Sequence, residues 1–483
     1  MLYLPVAAAG AARELGVELE VRLPSGDMAK LAQLPLSRLL NIRNADAMDL
    51  WSGLWRAAPA REVREVLESH SLSTLGYQGY NRYLSEIYED TLPEAVVLVA
   101  ATAHYSWEKI VRALGIGSNQ LLFVPLDDRF RMDTEALWSR VLELTTRRVP
   151  ILACVSVCGT TEESAVDRLD QVLQVRARAE RELGVTFHVH SDACYGGYAA
   201  AVTWKADGSR RSVEELRMAT ECAWPEDGLM ESFHALAEVD SITIDPHKLG
   251  YIPYPAGAFV LRDRRARDLV AVDPPYLLHT QGMQAEEDLF LGRFIFEGSK
   301  PGAAAAAVWL SHKVLPLDER GYGYLIERTI CGARKLHAAL SRAKLDPFRV
   351  IMLPEPDINI VCFLLHHPEH ATLEEVNALN EGIYARMSMQ TPGDQPEYVI
   401  TRTRLQTPMY DGAIKPILEK LGVGSADGWR ESGQEGLVVL RSTVMDPFLQ
   451  AGPPTPDHLN GFVAAVGRAA RDARAALPGR SAG

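Results

Sequence analysis

An α/β fold built on a mostly parallel sheet, followed by a smaller α+β unit, is what this sequence predicts, and three observations carry that expectation. Short apolar runs alternate with longer helical patterns between residues 95 and 265. Those runs are continuously apolar, as strands covered on both faces are. Beyond residue 315 the pattern changes to short strands with fewer intervening helices. At 483 residues and 47% hydrophobic, the chain can bury a large core in more than one structural unit.

The elements follow in order. AVVLVAA (95–101) reads as a strand, then SWEKIVRALGIG as helix, LLFVPL (121–126) as strand and DTEALWSRVLEL (133–144) as helix. VPILACVSV (149–157) is a strand and LDQVLQVRARAEREL (169–183) a strongly amphipathic helix. TFHVHSDA (186–193), DSITIDP (240–246) and GAFVLRD (257–263) complete the series of strands. PGAAAAAVWLSHKVL (301–315) is a helix rich in small residues, suited to close packing against another element or subunit. The spacing then predicts strands at 350–354, 358–366 and 437–445, a helix at 373–387, and a last helix after the Pro-rich turn at 451–457. The expected division is a connecting segment (1–94), a large domain (95–315) and a small C-terminal domain (316–483).

Composition excludes several function classes. A net charge of -13 argues against nucleic acid or an anionic membrane as partner. Six cysteines with no Cys-x-x-Cys pair make neither a disulfide framework nor a structural zinc site. The opening MLYLPVAAAGAA lacks a basic leader, and no run of eighteen apolar residues occurs, so a cytoplasmic location is expected.

The residues that carry chemistry close successive strands. In DSITIDPHKLGYIPYPAGAF (240–259), Lys248 stands just past a strand, where its amine can reach into a cleft and condense with a carbonyl cofactor. Alone, a strand-end lysine is usually a solvated charge. In HVHSDACYGGYAA (188–200), Asp192 ends another strand, a position equally common for a turn or capping aspartate. A carboxylate there can face a pyridine nitrogen, keep it protonated and so make the ring an electron sink. His104, in ATAHYSWEKI (101–110), offers a flat imidazole that can stack on a ring, and Thr161, in CGTTEESAVD (158–167), a hydroxyl on a polar turn. Each has a bland reading by itself. Together they are four strand ends in order, and ligands bind at the carboxyl ends of such strands.

HYSWEK, GTTEESAVD, HSDACYGGY, SITIDPHKLGYIPY, FEGSKPGA and VLRSTVMDPF resemble, in the same order, the motifs of the group II pyridoxal-phosphate (PLP) decarboxylases. The bacterial L-tyrosine decarboxylases are the nearest subgroup, and the resemblance runs over essentially the whole chain. It implies the aspartate-aminotransferase-like fold (fold type I), with a seven-stranded, mostly parallel sheet. It implies pyridoxal 5'-phosphate as cofactor, Lys248 as its covalent anchor, His104 stacked on the ring and Asp192 on the ring nitrogen. His247, Ser299 (from a neighbouring subunit) and Thr161 are implied as cofactor-binding, and Tyr254 as the residue that handles the proton at Cα. Tyr276 and Thr443 are implied as substrate-lining; the subgroup more often carries serine where Thr443 stands.

The implied activity is removal of CO2 from an L-amino acid of aromatic, tyrosine-like type to give the amine. Its rivals are a decarboxylation-dependent oxidative deaminase and a non-catalytic homologue acting as partner subunit. Tyr254 and the Asp-Pro-His-Lys context favour the decarboxylase. One feature of the family is missing: residues 1–95 hold only isolated glycines at 10, 16, 26, 53, 76 and 79, and no Gly-Gly-Thr/Ser phosphate turn. The resemblance therefore implies a chain that begins late. The expected assembly is a homodimer core with a separate small chain supplying the phosphate-binding segment.

Overall fold

The computed structural model describes residues 1–88, 93–220, 222–272, 291–390, 393–423, 435–449 and 457–477. The chain opens with helix α1 (Leu4–Leu15), a small hairpin of β1 (Glu20–Arg22) and β2 (Met28–Lys30), and helices α2 (Leu36–Leu39), α3 (Asn44–Ala57), α4 (Ala60–Ser69) and α5 (Leu72–Tyr88). Small residues let α1 lie close to α3 and α4; Val6, Ala8, Ala9 and Ala11 are fully buried against Leu31, Leu54 and Val63.

Next comes the sheet: β3 (Val96–Ala100), β4 (Leu121–Val124), β5 (Ile151–Val157), β6 (His188–Asp192), β7 (Ser241–Ile244) and β8 (Ala258–Leu261). Its order is β4-β3-β5-β6-β7-β8, parallel except where β8 runs antiparallel to β7. All six runs read as strands from sequence are strands here, and each lies within the span expected. The seven-stranded sheet implied by resemblance is corrected to six strands among the described residues, which leaves β8 at an edge. β8 is also open on its faces: Phe259 is 60% and Val260 48% exposed.

Why these segments form strands is plain in β3. Val96, Val97, Leu98, Val99 and Ala100 are all buried. Alternate side chains meet different cores, Leu98 and Ala100 with Leu137, Val141 and Val172, and Val97 and Val99 with Val111 and Val155. The first of these cores is closed by α7 (Thr134–Thr146) and α8 (Leu169–Leu183). α7 starts at Asp133, whose side chain accepts from the Glu135 and Ala136 amides. α8 stops at Gly184 in the left-handed conformation. α6 (Ser106–Ala113) follows β3, and α9 (Val213–Thr220) and α10 (Leu229–Ala235) lie between β6 and β7.

After α11 (Gly302–Val314), the long α12 (Tyr322–Ser341) leads to an antiparallel sheet ordered β11-β12-β10-β9. Its strands are β9 (Arg349–Met352), β10 (Ile360–His366), β11 (Thr401–Gln406) and β12 (Gly436–Thr443). One face packs on α12, α13 (Leu373–Arg386) and α15 (His458–Ala476), through Leu336, Ile383, Phe462 and Val466. The other packs on α14 (Asp411–Leu421) and on Ala101, Phe130 and Ala165 of the first sheet's loops.

The two sheets are also joined by a buried ion pair. Asp357, 4% exposed, accepts from Arg131 Nη2 at 2.6 Å and Nε at 3.0 Å, and from the Val166 amide at 2.8 Å. Removing one partner strands the other charge in the interior. Asp357→Ala is therefore expected to cost about 3–5 kcal/mol. Chemical denaturation should show a lower midpoint at unchanged slope; an unchanged midpoint would mean that solvent reaches Arg131 freely.

Candidate active site

The chain leaves β3 toward β4 on one side, then crosses back to place β5 on the other, so the winding direction switches between β3 and β5. The carboxyl ends of strands at such a switch open a crevice. His104 follows β3 and Thr161 follows β5, flanking it, while Asp192 ends β6 and Lys248 follows β7. Four residues picked from sequence thus occupy the same end of four neighbouring strands.

Glycines bring the turns together. A Cβ at Gly196 would stand 2.4 Å from the Cys158 carbonyl oxygen, and one at Gly159 would stand 2.9 Å from Gly196 Cα. The Thr161 turn and the Asp192 turn touch backbone to backbone because neither glycine has a side chain. At Gly250, a Cβ would meet the Pro246 carbonyl oxygen at 2.4 Å, which keeps the Lys248 turn tight. Tyr322 Oη donates to the Gly250 carbonyl at 2.7 Å and fixes it from α12.

Asp192 is half-buried and well supported. Trp107 Nε1 donates to its Oδ2 at 3.2 Å, and the Cys194 amide to its Oδ1 at 3.3 Å. Thr243 Oγ1, on the adjoining strand, lies 3.4 Å from Oδ1 and 3.3 Å from His190 Nε2. Burial pushes the His190 imidazole down to about 4, against the upward pull of Asp192, so His190 is neutral near pH 7. The Cys194 thiol is pushed up to about 12, first by burial and then by the Asp192 charge, and stays protonated. Asp192 is thus held by neutral donors.

The Lys248 side chain is 33% exposed, and its Nζ lies 3.1 Å from Asp245 Oδ2. The His104 Nδ1 accepts from the Ser106 amide at 3.3 Å and lies 2.8 Å from Ser106 Oγ, which leaves the proton of the neutral ring on Nε2. Its ring sits 4.3 Å from that of Tyr105. His247 Nδ1 is 2.5 Å from the Ala256 carbonyl oxygen and so is engaged with backbone. Tyr254 is 53% exposed on the turn after Lys248.

Thr161 is exposed, while its neighbour Thr160 is buried and holds the turn by accepting from the Glu163 and Ala165 amides. Glu163 beside it is raised to about 7, first by burial and then by Glu162. The carbonyls of Thr161 and Glu162 accept from Arg441 on β12. Thr443, two residues on, is exposed at the end of that strand, so it comes to the same seam between the sheets. Ser299 is exposed ahead of α11, none of whose thirteen residues is buried. Tyr276 lies outside the described residues.

Sequence reasoning missed Trp107, Thr243 and Asp245. A signal existed for two of them: Trp107 stands three residues after His104, and Asp245 three before Lys248, the spacing of one turn. Thr243 needs the β6–β7 register, in which it pairs with Asp192. A cavity of about 950 Å³ lies elsewhere, among Trp51, Trp55, Arg264 and Arg293. It also touches Leu152 near the amino end of β5, so it opens away from the four strand ends.

An amine, a carboxylate and an imidazole on adjacent strand ends are the donor set that a pyridine aldehyde cofactor needs. Residues 79–207 match the pyridoxal-dependent decarboxylase conserved domain, and residues 332–469 the C-terminal domain of tyrosine decarboxylase. Over these two spans the chain resembles the pyridoxal-dependent decarboxylases. Within them its similarity is to the bacterial L-tyrosine decarboxylases. It is 35% identical over 365 residues to that of Enterococcus faecium, covering 73% of this chain and 58% of the relative. The figures for the Levilactobacillus brevis enzyme are 35%, 73% and 57%. The chain thus spans less than two thirds of the length of these relatives. Among solved structures, mouse CSAD superposes with a TM-score of 0.56 at 17% identity, covering 79% of this chain and 65% of that one. Catharanthus roseus tryptophan decarboxylase, in complex with L-tryptophan, gives 0.53 at 16%, covering 81% and 66%. These show the shared fold, that of the PLP-dependent group II decarboxylases. No helix among the described residues is long and apolar enough to cross a membrane.

Proposed function

We propose that this chain carries the main catalytic portion of a decarboxylase that removes CO2 from a tyrosine-like L-amino acid and releases the amine. The observation behind this reading is the row of His104, Thr161, Asp192 and Lys248 on neighbouring strand ends. Pyridoxal phosphate, when bound, supplies the electron sink that accepts the electrons left as CO2 departs.

The chain's own residues would do the rest. Lys248 would hold the cofactor through its amine. Asp192, held by Trp107 and Thr243, would set its carboxylate against the ring nitrogen. His104 would hold one face of the ring with its imidazole. His247, Thr161 and Ser299 would serve cofactor binding, and Thr443 the substrate pocket. Tyr254 delivers the proton to Cα, its exposed hydroxyl becoming shielded as the site closes.

That closure needs more polypeptide. The open edge and faces of β8, and α11 with Trp309 63% and Leu310 58% exposed, support a companion segment that covers them and brings the phosphate-binding turn. We assign that segment to a separate small chain, on a core of two copies of this one.

The test is to mix the purified chain with pyridoxal phosphate and L-tyrosine, alone and with the product of any adjacent small reading frame. The amine, the CO2 released and the cofactor fixed by borohydride are then measured. Tyramine formed only in the presence of the small protein is the expected result. Tyramine from the chain alone would remove the companion from the proposal. Fixed cofactor without amine or CO2 from any aromatic amino acid would overturn the decarboxylase reading.

A further inference from the structure

Two of the six cysteines face each other away from the cleft. Cys154 and Cys362 lie on strands, Cys158 just past one and Cys194 beside Asp192. Cys222 and Cys331 are 109 residues apart in sequence, yet their sulfurs stand 3.8 Å apart. Cys222 follows α9 and is half-buried, whereas Cys331 sits on the inner face of α12.

Both thiols are held in place. Cys331 Sγ donates to the Thr220 carbonyl at 3.1 Å, and Thr220 Oγ1 lies 3.1 Å from the Cys222 carbonyl oxygen. Two residues beyond Cys222, the Trp224 indole donates to the Asp357 carbonyl at 2.8 Å. Arg334, one turn along α12 from Cys331, reaches the Ala223 carbonyl at 3.5 Å. The loop bearing Cys222 is therefore pinned to the small domain's side of the seam and cannot swing away from Cys331. A disulfide needs the sulfurs to close from 3.8 Å to about 2.05 Å, a change that side-chain rotation can supply.

The chemistry of the two thiols differs. The Cys222 thiol is pushed down, chiefly by its contact with the Cys331 thiol and helped by Thr220 and the Arg334 charge, against burial. The Cys331 thiol moves the other way, raised by the same contact and by burial. Such an unequal pair has one attacking and one resolving sulfur.

We propose that Cys222 and Cys331 are a redox site that closes to an intrachain disulfide on reaction with a small disulfide such as oxidised glutathione. The Cys222 thiolate attacks one glutathione sulfur, and the S–S bond breaks to release one glutathione thiolate. Cys331 then loses its proton and attacks the Cys222 sulfur, releasing the second glutathione. Two protein thiols are oxidised, one glutathione disulfide is reduced to two thiols, and both protein protons end on glutathione. The new bond fastens the loop after α9 to α12, and so the large sheet's domain to the helix that enters the small one. This inference is independent of which substrate the cleft takes.

The experiment treats the native full chain with oxidised glutathione, counts thiols after denaturation and maps linked peptides by mass spectrometry. The expected result is a fall from six thiols to four, a single linkage joining the Cys222 and Cys331 peptides, and full reversal by reductant. In Cys331→Ser, glutathione should stay attached to Cys222; in Cys222→Ser, Cys331 should stay unmodified. Six free thiols in the treated native chain would overturn the proposal. So would glutathione resting on Cys222 with Cys331 intact beside it, or a linkage to any other cysteine. The first measurement uses the unaltered protein, so neither substitution need fold for it to decide.

Discussion

Replacing Lys248 by alanine is expected to abolish covalent capture of pyridoxal phosphate and to lower turnover more than about a thousandfold, since the amine that anchors the cofactor is removed. The physical case rests on place. Lys248 ends a tight turn whose first residue, Asp245, pairs with its amine at 3.1 Å. The next residues are held by Tyr322 through the Gly250 carbonyl, so the turn survives loss of the side chain. Because the turn keeps its backbone contacts, the far-ultraviolet circular dichroism should be unchanged. The check is absorbance of the cofactor-loaded protein, then borohydride reduction and peptide mapping. Cofactor still fixed in Lys248→Ala, mapped to another lysine such as Lys300, would move the anchor and sink this assignment.

Asp192→Asn should be the second largest change and of a different kind. The substitution is isosteric, so the Cys194 amide keeps an oxygen to bond. What is lost is the charge, and with it the acceptor for Trp107. An opposite charge at hydrogen-bonding distance shifts a titratable group by about 1–3 pKa units. Protonation of a ring nitrogen near pH 7 would fall with it, and turnover by about ten- to a thousandfold. Cofactor capture should persist, because Lys248 is intact. Lowering the pH should recover part of the lost rate in Asp192→Asn, since acid restores the ring proton that the carboxylate had stabilised. A variant with the same rate and pH profile as the native chain would show that Asp192 does not face the ring.

How much of this was legible beforehand divides by the kind of signal. Strands buried on both faces announce themselves, and β3 to β8 were all readable as short apolar runs. α8 was read to its ends because an amphipathic stripe finishes at Gly184. α12 was not read, although it is twenty residues long. It is buried on several sides and interrupted by Gly323 and Gly332, so no stripe marks it. β11, Thr-Arg-Thr-Arg-Leu-Gln, is an edge strand with one buried residue, and its polar composition hid it. In the cleft, the groups that close strands were found by position along the chain. Their supports, Trp107 and Thr243, were not, because what makes them matter is a contact across strands. The six-stranded sheet could not be told from seven by periodicity, which counts runs and says nothing about which edges are paired.

The open side of β8 has a bearing on how the protein behaves in a tube. Among the described residues one edge of β8 has no strand beside it, and such an edge, flanked by Phe259 and Val260, is a template for any extended chain, another copy included. Net negative charge keeps copies apart in dilute buffer, but salt screens that repulsion over about 10 Å at 0.1 M while leaving the strand's stickiness untouched. Colloidal stability should therefore worsen with added salt, the reverse of what a well-covered acidic enzyme shows. Low-salt, dilute handling is what the shape of this one strand dictates.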